Sequence, residues 1–227
     1  MSEPQKIIET ALKEGRTTLS EYESKLVLTH YQIPIAKEKL CKDTKDLKEA
    51  AREIGFPMVL KGNAPDITHK TEKDLIRLDI RNEAEAGQAF NEILERMDGS
   101  SKTVLVQEMV KGKREFLAGL TRDPQFGPCV MFGLGGIFTE ILKDVSFRVA
   151  PFDRREALEM MAETKASKML EAIRGMEAVD KNALGDILVR LGQIGLEQEK
   201  IKEIDINPLI ISGARPVAVD ALIVLVS

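Results

Sequence analysis

The order of helical and strand patterns predicts an α+β fold with two lobes. In roughly the first hundred residues, amphipathic helical patterns alternate with short apolar runs. From Thr103 onward, four strand patterns follow one another closely, and two helical patterns and a strand pair complete the chain. Because strands and helices are grouped rather than strictly alternating, the pattern favours α+β over a doubly wound parallel sheet.

The helices are predicted from their start and stop residues as well as from their apolar faces. Typical starts are Pro4 in a first turn, the capping box Ser20 with Glu23, Asp43 or Thr44, and Asn82. Gly15 and Gly55 are typical of helix ends. Two later helices, at about 154–174 and about 181–198, are predicted from apolar residues at helical spacing.

Short apolar runs bounded by turn residues predict the strands. Met58–Lys61 is apolar enough for a buried strand. Further strands are predicted at residues 103–109, 115–121, 128–132 and 138–142. The last two strands, 202–211 and 216–226, are predicted to form a hairpin through residues 212–215.

The charge balance and the scarcity of aromatic residues exclude several classes of protein. The 227 residues include 33 Lys and Arg against 37 Asp and Glu, which gives a net charge of −4. Such a chain lacks the basic surface that a nucleic acid requires, so we expect no nucleic-acid partner. With no Trp and 2 Tyr, a base-stacking surface is not expected either.

The sequence predicts a cytoplasmic protein. No apolar run approaches the roughly 20 residues that span a bilayer, and the first residues lead into a polar helix rather than a signal sequence. Cys41 and Cys129 stand far apart among apolar neighbours. We therefore expect both thiols to be reduced and buried, and the alternative is that one of them is a surface thiol.

Three glycines, Gly133, Gly135 and Gly136, form the densest motif of the chain. Glycines between two apolar strands allow positive φ angles and can turn backbone N–H groups toward an anion or a neighbouring chain. A tight hairpin turn is the alternative interpretation, because glycine-rich turns commonly join strands.

Oxygen-bearing side chains cluster in the predicted C-terminal hairpin. Asp205 and Asn207 are two residues apart in a strand and so share a face, and the hairpin partner brings Asp220 beside them. Hard oxygen ligands of this kind suit Mg²⁺, whose remaining positions go to water and phosphate. A solvated hairpin end is the alternative.

A cation and an imidazole follow the first buried strand. Lys61 ends the strand and can act as a point charge on phosphate. His69 lies in the following loop, where a neutral imidazole nitrogen can accept a phosphoryl group near pH 7. The alternative for His69 is an ordinary polar surface residue.

At these places the chain resembles the ATP-grasp β subunits of ADP-forming acetyl-CoA (acyl-CoA) synthetases, which are relatives of succinyl-CoA synthetase. The likeness extends from roughly Leu19 to Leu225. The stretches that carry it are Arg122–Pro128, Phe132–Ile137, Lys143–Arg148, Asp205–Pro208 and Val217–Asp220. The resemblance implies an ATP-grasp fold, with a nucleotide bound between two α/β lobes. Implied boundaries are 1–21 for an N-terminal helical segment, 22–106 for the N-terminal lobe and 107–227 for the C-terminal lobe.

The resemblance also implies a reaction and a partner. Family members catalyse acyl-CoA + ADP + phosphate ⇌ carboxylate + CoA + ATP and pass the phosphoryl group through histidine. A separate α subunit holds the CoA site and the principal phosphohistidine. The implied cofactors are ATP or ADP and Mg²⁺, and the implied assembly is a hetero-oligomer.

Roles for individual residues follow from the resemblance. It implies nucleotide phosphate contact by Lys61, adenine contact by the backbone of Gln107, Glu108, Met109 and Val110, and ribose contact by Glu115. It implies Mg²⁺ ligation by Asn207 and Asp220, orientation of an incoming phosphohistidine by Asp205, and a second phosphoryl carrier at His69. We expect the partner's phosphohistidine loop to dock at Gly133, Gly135, Gly136 and Arg148.

The chain departs from the family pattern after His69. Family members continue with Lys-Ser-Asp-x-Gly-Gly-Val, whereas here Asp74 and Leu75 replace the two glycines, and Ala221 follows Asp220 where the family has arginine. We expect a carboxylate at residue 74 to repel a triphosphate and the side chains to block close backbone approach. A non-catalytic nucleotide-binding subunit, and an ATP-grasp ligase that forms an acyl phosphate without a histidine relay, are therefore alternatives.

Overall fold

The chain forms two compact units. The computed structural model describes residues 2–64, 74–97, 102–135, 144–173 and 175–226. The small unit comprises Ser20–Tyr22 and Ala36–Met109, and the large unit comprises Met1–Leu19, Glu23–Ile35 and Val110–Ser227. Each unit has its own sheet and its own apolar core.

The described residues contain six α-helices and ten strands. The helices are α1 Glu3–Lys13, α2 Glu21–His30, α3 Thr44–Ile54, α4 Glu83–Arg96, α5 Arg154–Ala162 and α6 Lys181–Glu197, with a 3-10 helix at Lys165–Leu170. The strands are β1 Glu38–Cys41, β2 Met58–Asn63, β3 Ile76–Ile80, β4 Thr103–Glu108, β5 Glu115–Asp123, β6 Gly127–Leu134, β7 Val145–Val149, β8 Ile201–Ser212, β9 Arg215–Ala218 and β10 Leu222–Leu225.

The small unit is an antiparallel sheet covered by α3 and α4. Its strand order is β1-β4-β2-β3. The carboxylate of Asp43 caps α3 by accepting the N–H of Lys45 at 2.8 Å, and the side chain of Asn82 caps α4 by accepting the N–H of Glu85 at 3.0 Å. One face of the sheet packs on the apolar sides of these helices in a core that includes Phe90.

The large unit is built on an antiparallel sheet in the order β10-β8-β5-β6-β7, with β9 also paired to β8. The long helix α6 buries an aliphatic stripe against the sheet, as expected for an amphipathic helix. Buried residues of α1 and α2, among them Ile8, Ala11, Val27 and Leu28, join the same core. Residues 23–35 therefore belong to the large unit, whereas the sequence-based boundary at 21/22 remains a prediction.

The α+β class and most helices are confirmed, one helix and one strand prediction need correction, and two strands were missed. The helix expected at 154–174 ends at Ala162, because the Asp144 carboxylate accepts the N–H groups of Lys165 and Ala166 and starts a separate 3-10 helix. The strand expected at 216–226 is divided into β9 and β10. Strands β1 and β3 were not predicted, and the strand predicted at 138–142 lies outside the described residues.

The cysteine prediction is right for one of the two residues. Cys41 is buried and free, and burial raises the pKa of its thiol to about 12. Cys129 is also free but only half-buried, because it lies on the face of β6 opposite the core residue Val130. None of the helices among the described residues is both long and apolar enough to cross a membrane.

Candidate functional site

In the small unit, the predicted nucleotide residues share the sheet face that is turned away from α3 and α4. Lys61 pairs with Leu105, and Gln107 pairs with Val59, so alternation along β2 and β4 puts the Lys61 and Gln107 side chains on the same side. Leu60 and Val106 point the other way, into the helix-covered core. The fold thus brings together two residues that are 46 positions apart in sequence.

The ammonium group of Lys61 is held by a buried carboxylate. Its Nζ atom donates to Oε1 of Glu21 at 2.8 Å, and the two side chains are 7% and 1% exposed. The sequence suggested only that Glu21 lies within a capping box. An acidic residue in a first helical turn is typical of helix N-termini in general, so no sequence signal pointed to a contact across 40 residues.

The segment Gln107–Val110 lies at the end of β4 and crosses the boundary between the units at Met109. Gln107 is buried and donates to a carboxylate oxygen of Glu38 at 3.1 Å. The backbone N–H of Glu108 donates to Lys37 at 2.9 Å, and that of Met109 donates to Pro57 at 3.3 Å. The predicted adenine-binding segment is therefore fixed to neighbouring backbone up to Met109.

In the large unit, the predicted acidic residues lie on the sheet face opposite α5 and α6. A cross-strand row runs from Asp205 through Gly119 and Met131 to Phe147. The neighbouring row, which includes Leu120 and Val130, belongs to the helix-covered core. We call the side that bears Asp205 the site face, and strand alternation along β5 puts the exposed Glu115 on it as well.

The strand register sets Asn207 opposite Asp220. Strand β8 pairs with β10 through Asp205 and Leu222 and with β9 through Leu209 and Ala218, and both pairings keep one register. Between these two pairings, the N–H of Val219 donates to the carbonyl of Pro208 at 3.3 Å. A bulge of β8 at residues 207–208, where its register on β5 shifts, separates the two pairings.

The surroundings of Asp205 disfavour the ionised form of its carboxyl group. Burial, followed by the negative charges of Asp220 and Glu203, raises its pKa to about 6. Its Oδ1 atom is buried and has no hydrogen-bond partner among the described residues. A buried acceptor of this kind fits a ligand that brings either a proton donor or a positive charge.

These oxygen groups fit a Mg²⁺ ion. No cluster of three or more His, Cys, Asp or Glu side chains occurs in the described part of the chain. Mg²⁺ needs no such cluster, because it usually takes one or two carboxylates and completes its shell with water and phosphate. The side-chain oxygens of Asn207 and Asp220 match that donor set, and a cation would relieve the repulsion between Asp205 and Asp220.

The glycine motif has a packing role in its described part. A Cβ atom on Gly133 would lie 2.6 Å from the carbonyl oxygen of Asp144, and one on Gly135 would lie 2.7 Å from that of Phe116. Both glycines therefore permit close contact between strands. Gly136, the third predicted docking glycine, lies outside the described residues.

Arg148 lies on the opposite side of the sheet from Asp205. It pairs with Val130 on the helix-covered face, and its guanidinium donates to Glu163 at 3.0 Å and to Glu156 at 3.2 Å. Its neighbour Phe147 is half-exposed on the site face. The Arg148 guanidinium is thus already paired with Glu156 of α5 and with Glu163 just after that helix. Its docking role stays a prediction.

The two residues that replace the family glycines have structural partners. Asp74 has a φ angle of 53°, and its carboxylate pairs with Arg77 at 2.9 Å and with Arg96. Leu75 is 1% exposed and packs in the core of the small unit, close to Gly62. The expected repulsion at residue 74 is thus offset by two arginines. His69 lies outside the described residues.

The comparisons with known proteins cover almost the whole chain. The family model described as an ATP-grasp domain matches residues 10–225. The β subunit of the ADP-forming acetate–CoA ligase I of Pyrococcus furiosus is 43% identical over 99% of both chains. The ADP-forming acetate–CoA ligase I of Archaeoglobus fulgidus is 38% identical, and there the match covers 97% of this chain but 33% of the relative.

Solved structures show the same fold. Acetyl-coenzyme A synthetase 1 of Candidatus Korarchaeum cryptofilum, in complex with coenzyme A, Ca-AMPCP and HgCl⁺, matches with a TM-score of 0.94. That match is 41% identical and covers 99% of this chain and 100% of the other. A second structure of the same protein, in complex with coenzyme A and Mg-AMPPCP, matches with a TM-score of 0.88, the same identity and the same coverage. It has its phosphohistidine segment pointing towards the nucleotide-binding site.

Proposed function

We propose, from the premise that this chain belongs to the ATP-grasp family, that it is the β subunit of an ADP-forming acyl-CoA synthetase. The reaction is acyl-CoA + ADP + phosphate ⇌ carboxylate + CoA + ATP, with the phosphoryl group carried on histidine. The observation that carries the proposal is the 43% identity to the Pyrococcus β subunit across 99% of both chains. A match that leaves so little of either chain uncovered supports a shared reaction as well as a shared fold.

The residues of this chain supply positioning and charge for phosphoryl transfer, which needs little else from a protein. Lys61 places a positive charge for the nucleotide phosphates. When bound, Mg²⁺ would be held by Asn207 and Asp220 and would neutralise phosphate charge. Gln107, Glu108, Met109 and Val110 are proposed to hold the adenine, and Glu115 the ribose.

Asp205 is proposed to orient the histidine of the partner. With a pKa of about 6 the carboxylate is largely ionised at neutral pH, so it can accept the imidazole N–H and fix the ring. In the direction of ATP synthesis, the P–N bond of phosphohistidine breaks as a terminal oxygen of ADP bonds to phosphorus. His69 is proposed to carry the phosphoryl group between the partner histidine and ADP.

The partner is proposed to be an α subunit with CoA-binding and phosphohistidine domains. Two observations support it: the Pyrococcus relative is named a β subunit, and the Archaeoglobus relative is a single protein about three times the length of the matched region. Acetate is the first acid to test, since it is the substrate named in both relatives. Cytoplasmic localisation remains a prediction.

The test is reconstitution with the α subunit that co-purifies from the native host. We expect ADP release from Mg·ATP that depends on CoA, on a carboxylate such as acetate and on both subunits. Asp205→Asn should lower kcat about 100-fold, whereas Glu199→Gln, which removes an exposed carboxylate of the large unit, should not. Nucleotide binding without turnover on any short-chain or aromatic acid would contradict the proposal.

His69→Asn separates this proposal from an ATP-grasp ligase without a histidine relay. The proposed reaction predicts loss of phosphoryl transfer from the partner histidine, measured as ³²P passing to ADP. Full activity of His69→Asn would favour the ligase. The pairing of Asp74 with two arginines argues against charge repulsion as a ground for a non-catalytic subunit, and the loss of the two glycines keeps that subunit as the alternative.

A further inference from the structure

A helical turn brings a carboxylate to the sheet face that bears Lys61. Glu21 is the first residue of α2, and with Ser20 and Tyr22 it belongs to the small unit, apart from the rest of that helix. The turn is tied to β2 at two points. Glu21 meets Lys61 at 2.8 Å, and the N–H of Tyr22 donates to Oδ1 of Asn63 at 3.3 Å.

The two contacts lie side by side on one strand. Lys61 and Asn63 are two residues apart on β2 and therefore share a face. Asn63 is buried and is fixed in turn by Thr103 of β4, which it contacts through its amide at 3.3 Å and its carbonyl at 2.9 Å. The position of the Glu21 carboxylate is thus set by the backbone of α2 and by a neighbouring buried side chain.

A lysine by itself is a poor positioning device. Its ammonium sits on a four-carbon stem with many rotamers, and burial disfavours the charged form. A carboxylate at hydrogen-bond distance reduces both problems, since it stabilises the charge and selects one direction for the stem. In phosphoryl-transfer enzymes of another class, a lysine and a glutamate on neighbouring elements must be paired before the lysine can serve the nucleotide phosphates.

We propose that Glu21 is a positioning residue, which holds the Lys61 ammonium in place for the nucleotide phosphates. The inference rests on the proposed function, in which Lys61 contacts those phosphates. It adds that the first turn of α2, rather than the strand alone, sets where the positive charge lies. Glu21 acts through Lys61 and has no direct role in the reaction.

The experiment compares ADP with adenosine as ligands of the full-length chain in the presence of Mg²⁺. By isothermal titration, Glu21→Gln should weaken ADP binding about 10-fold or more and leave adenosine binding within about 2-fold, because the ammonium acts on phosphate. Lys61→Met should give the same pattern. In the double variant, Glu21→Gln should add nothing to Lys61→Met, since its effect passes through the lysine.

Asn63→Ala is the matched control. It removes the acceptor for the Tyr22 N–H and loosens the same helical turn, but it keeps the Glu21 carboxylate. If Glu21 served only to fix the helical turn, Asn63→Ala would weaken ADP binding as much as Glu21→Gln does. The positioning role predicts that Asn63→Ala has a smaller effect on ADP, and Glu21→Asp, which keeps the charge, a partial one.

The outcomes separate the two proposals. If the wild-type chain does not bind ADP, or if Lys61→Met does not weaken ADP binding, the assigned role of Lys61 is wrong. If Lys61→Met weakens ADP binding but Glu21→Gln does not, or does so additively, only the positioning role is overturned. Should Glu21→Gln fail to fold, Glu21→Asp decides, because equal ADP affinity of that variant and the wild type also overturns it.

Discussion

Asp205 combines burial with two nearby negative charges, and its stability effect has a definite sign. Its folded pKa of about 6 lies above the value of about 3.9 expected for an unfolded chain. The folded state therefore binds the proton more tightly. The stabilisation that the protonated carboxyl contributes is complete below about pH 4 and is lost as the pH rises through about 6.

Asp205→Asn should therefore stabilise the protein at neutral pH. Without nucleotide or Mg²⁺, we expect the difference in unfolding free energy between variant and wild type to grow between pH 4 and 6. It should level off at about 3 kcal/mol above pH 7. Urea unfolding of the variant and the wild type across this range measures it. A pH-independent difference for Asp205→Asn would contradict the assigned burial.

Restoring the family glycines at residues 74 and 75 should affect the free energy of unfolding to different extents. Leu75→Gly empties a buried position and should cost about 3 kcal/mol or more. Asp74→Gly loses two exposed ion pairs but suits the positive φ angle, so it should change stability by less than about 1 kcal/mol. Chemical denaturation of the single variants checks both values. Equal effects would mean that Leu75 does not pack as described.

At the scale of elements, one arginine joins segments that the sequence gives no reason to connect. Arg114 precedes β5 and is 3% exposed. Its guanidinium donates to four carbonyl groups at 2.6 to 3.3 Å, those of Met169, Glu171, Glu177 and Gly213. The irregular segment after the 3-10 helix and the turn before β9 are thereby fixed to the start of β5.

Arg114→Met should destabilise the large unit by at least ~3 kcal/mol, because the variant removes a charged donor and leaves buried carbonyls without partners. Arg155→Met is the matched control. That side chain is 85% exposed on α5, and its loss should change stability by less than about 0.5 kcal/mol. The midpoint of urea unfolding for each variant is the measurement, and similar midpoints for both would refute the role of Arg114.

Elements whose signals are local were predictable, and those fixed by distant contacts were not. Asp43 and Asn82 cap helices as predicted, because a cap depends on residues two or three positions away. Strand β1 is four residues long and includes Glu and Lys, so its sequence carries no strand pattern. It is a strand because it pairs with β4. The helix predicted to reach 174 was stopped by Asp144, a contact that helical spacing does not encode.

The candidate site follows the same division. The hairpin register that sets Asn207 opposite Asp220 could be predicted, because strand periodicity and one turn determine it. The pairing of Lys61 with Glu21 could not, since it joins a strand to a helix 40 residues away. The side of the sheet occupied by Arg148 likewise depends on where α5 packs.

At the scale of the whole molecule, the first helix contributes to the core of the large unit. Ile8 is 2% exposed within that core. Ile8→Ala should therefore lower the unfolding free energy of the large unit by about 2 to 4 kcal/mol. Ile7→Ala, at a half-buried neighbour, should have a smaller effect. Thermal unfolding tests both, and an unchanged transition for Ile8→Ala would favour an independent N-terminal segment.

Neither compact unit is one continuous stretch of chain. The chain passes from one unit to the other after residues 19, 22, 35 and 109. A gene fragment that encodes residues 36–109 would contain every strand of the small sheet and yet leave Glu21 behind. Chimeras made by exchanging that fragment between relatives would therefore pair the lysine of one parent with the glutamate of the other, and their nucleotide affinity would depend on both parents.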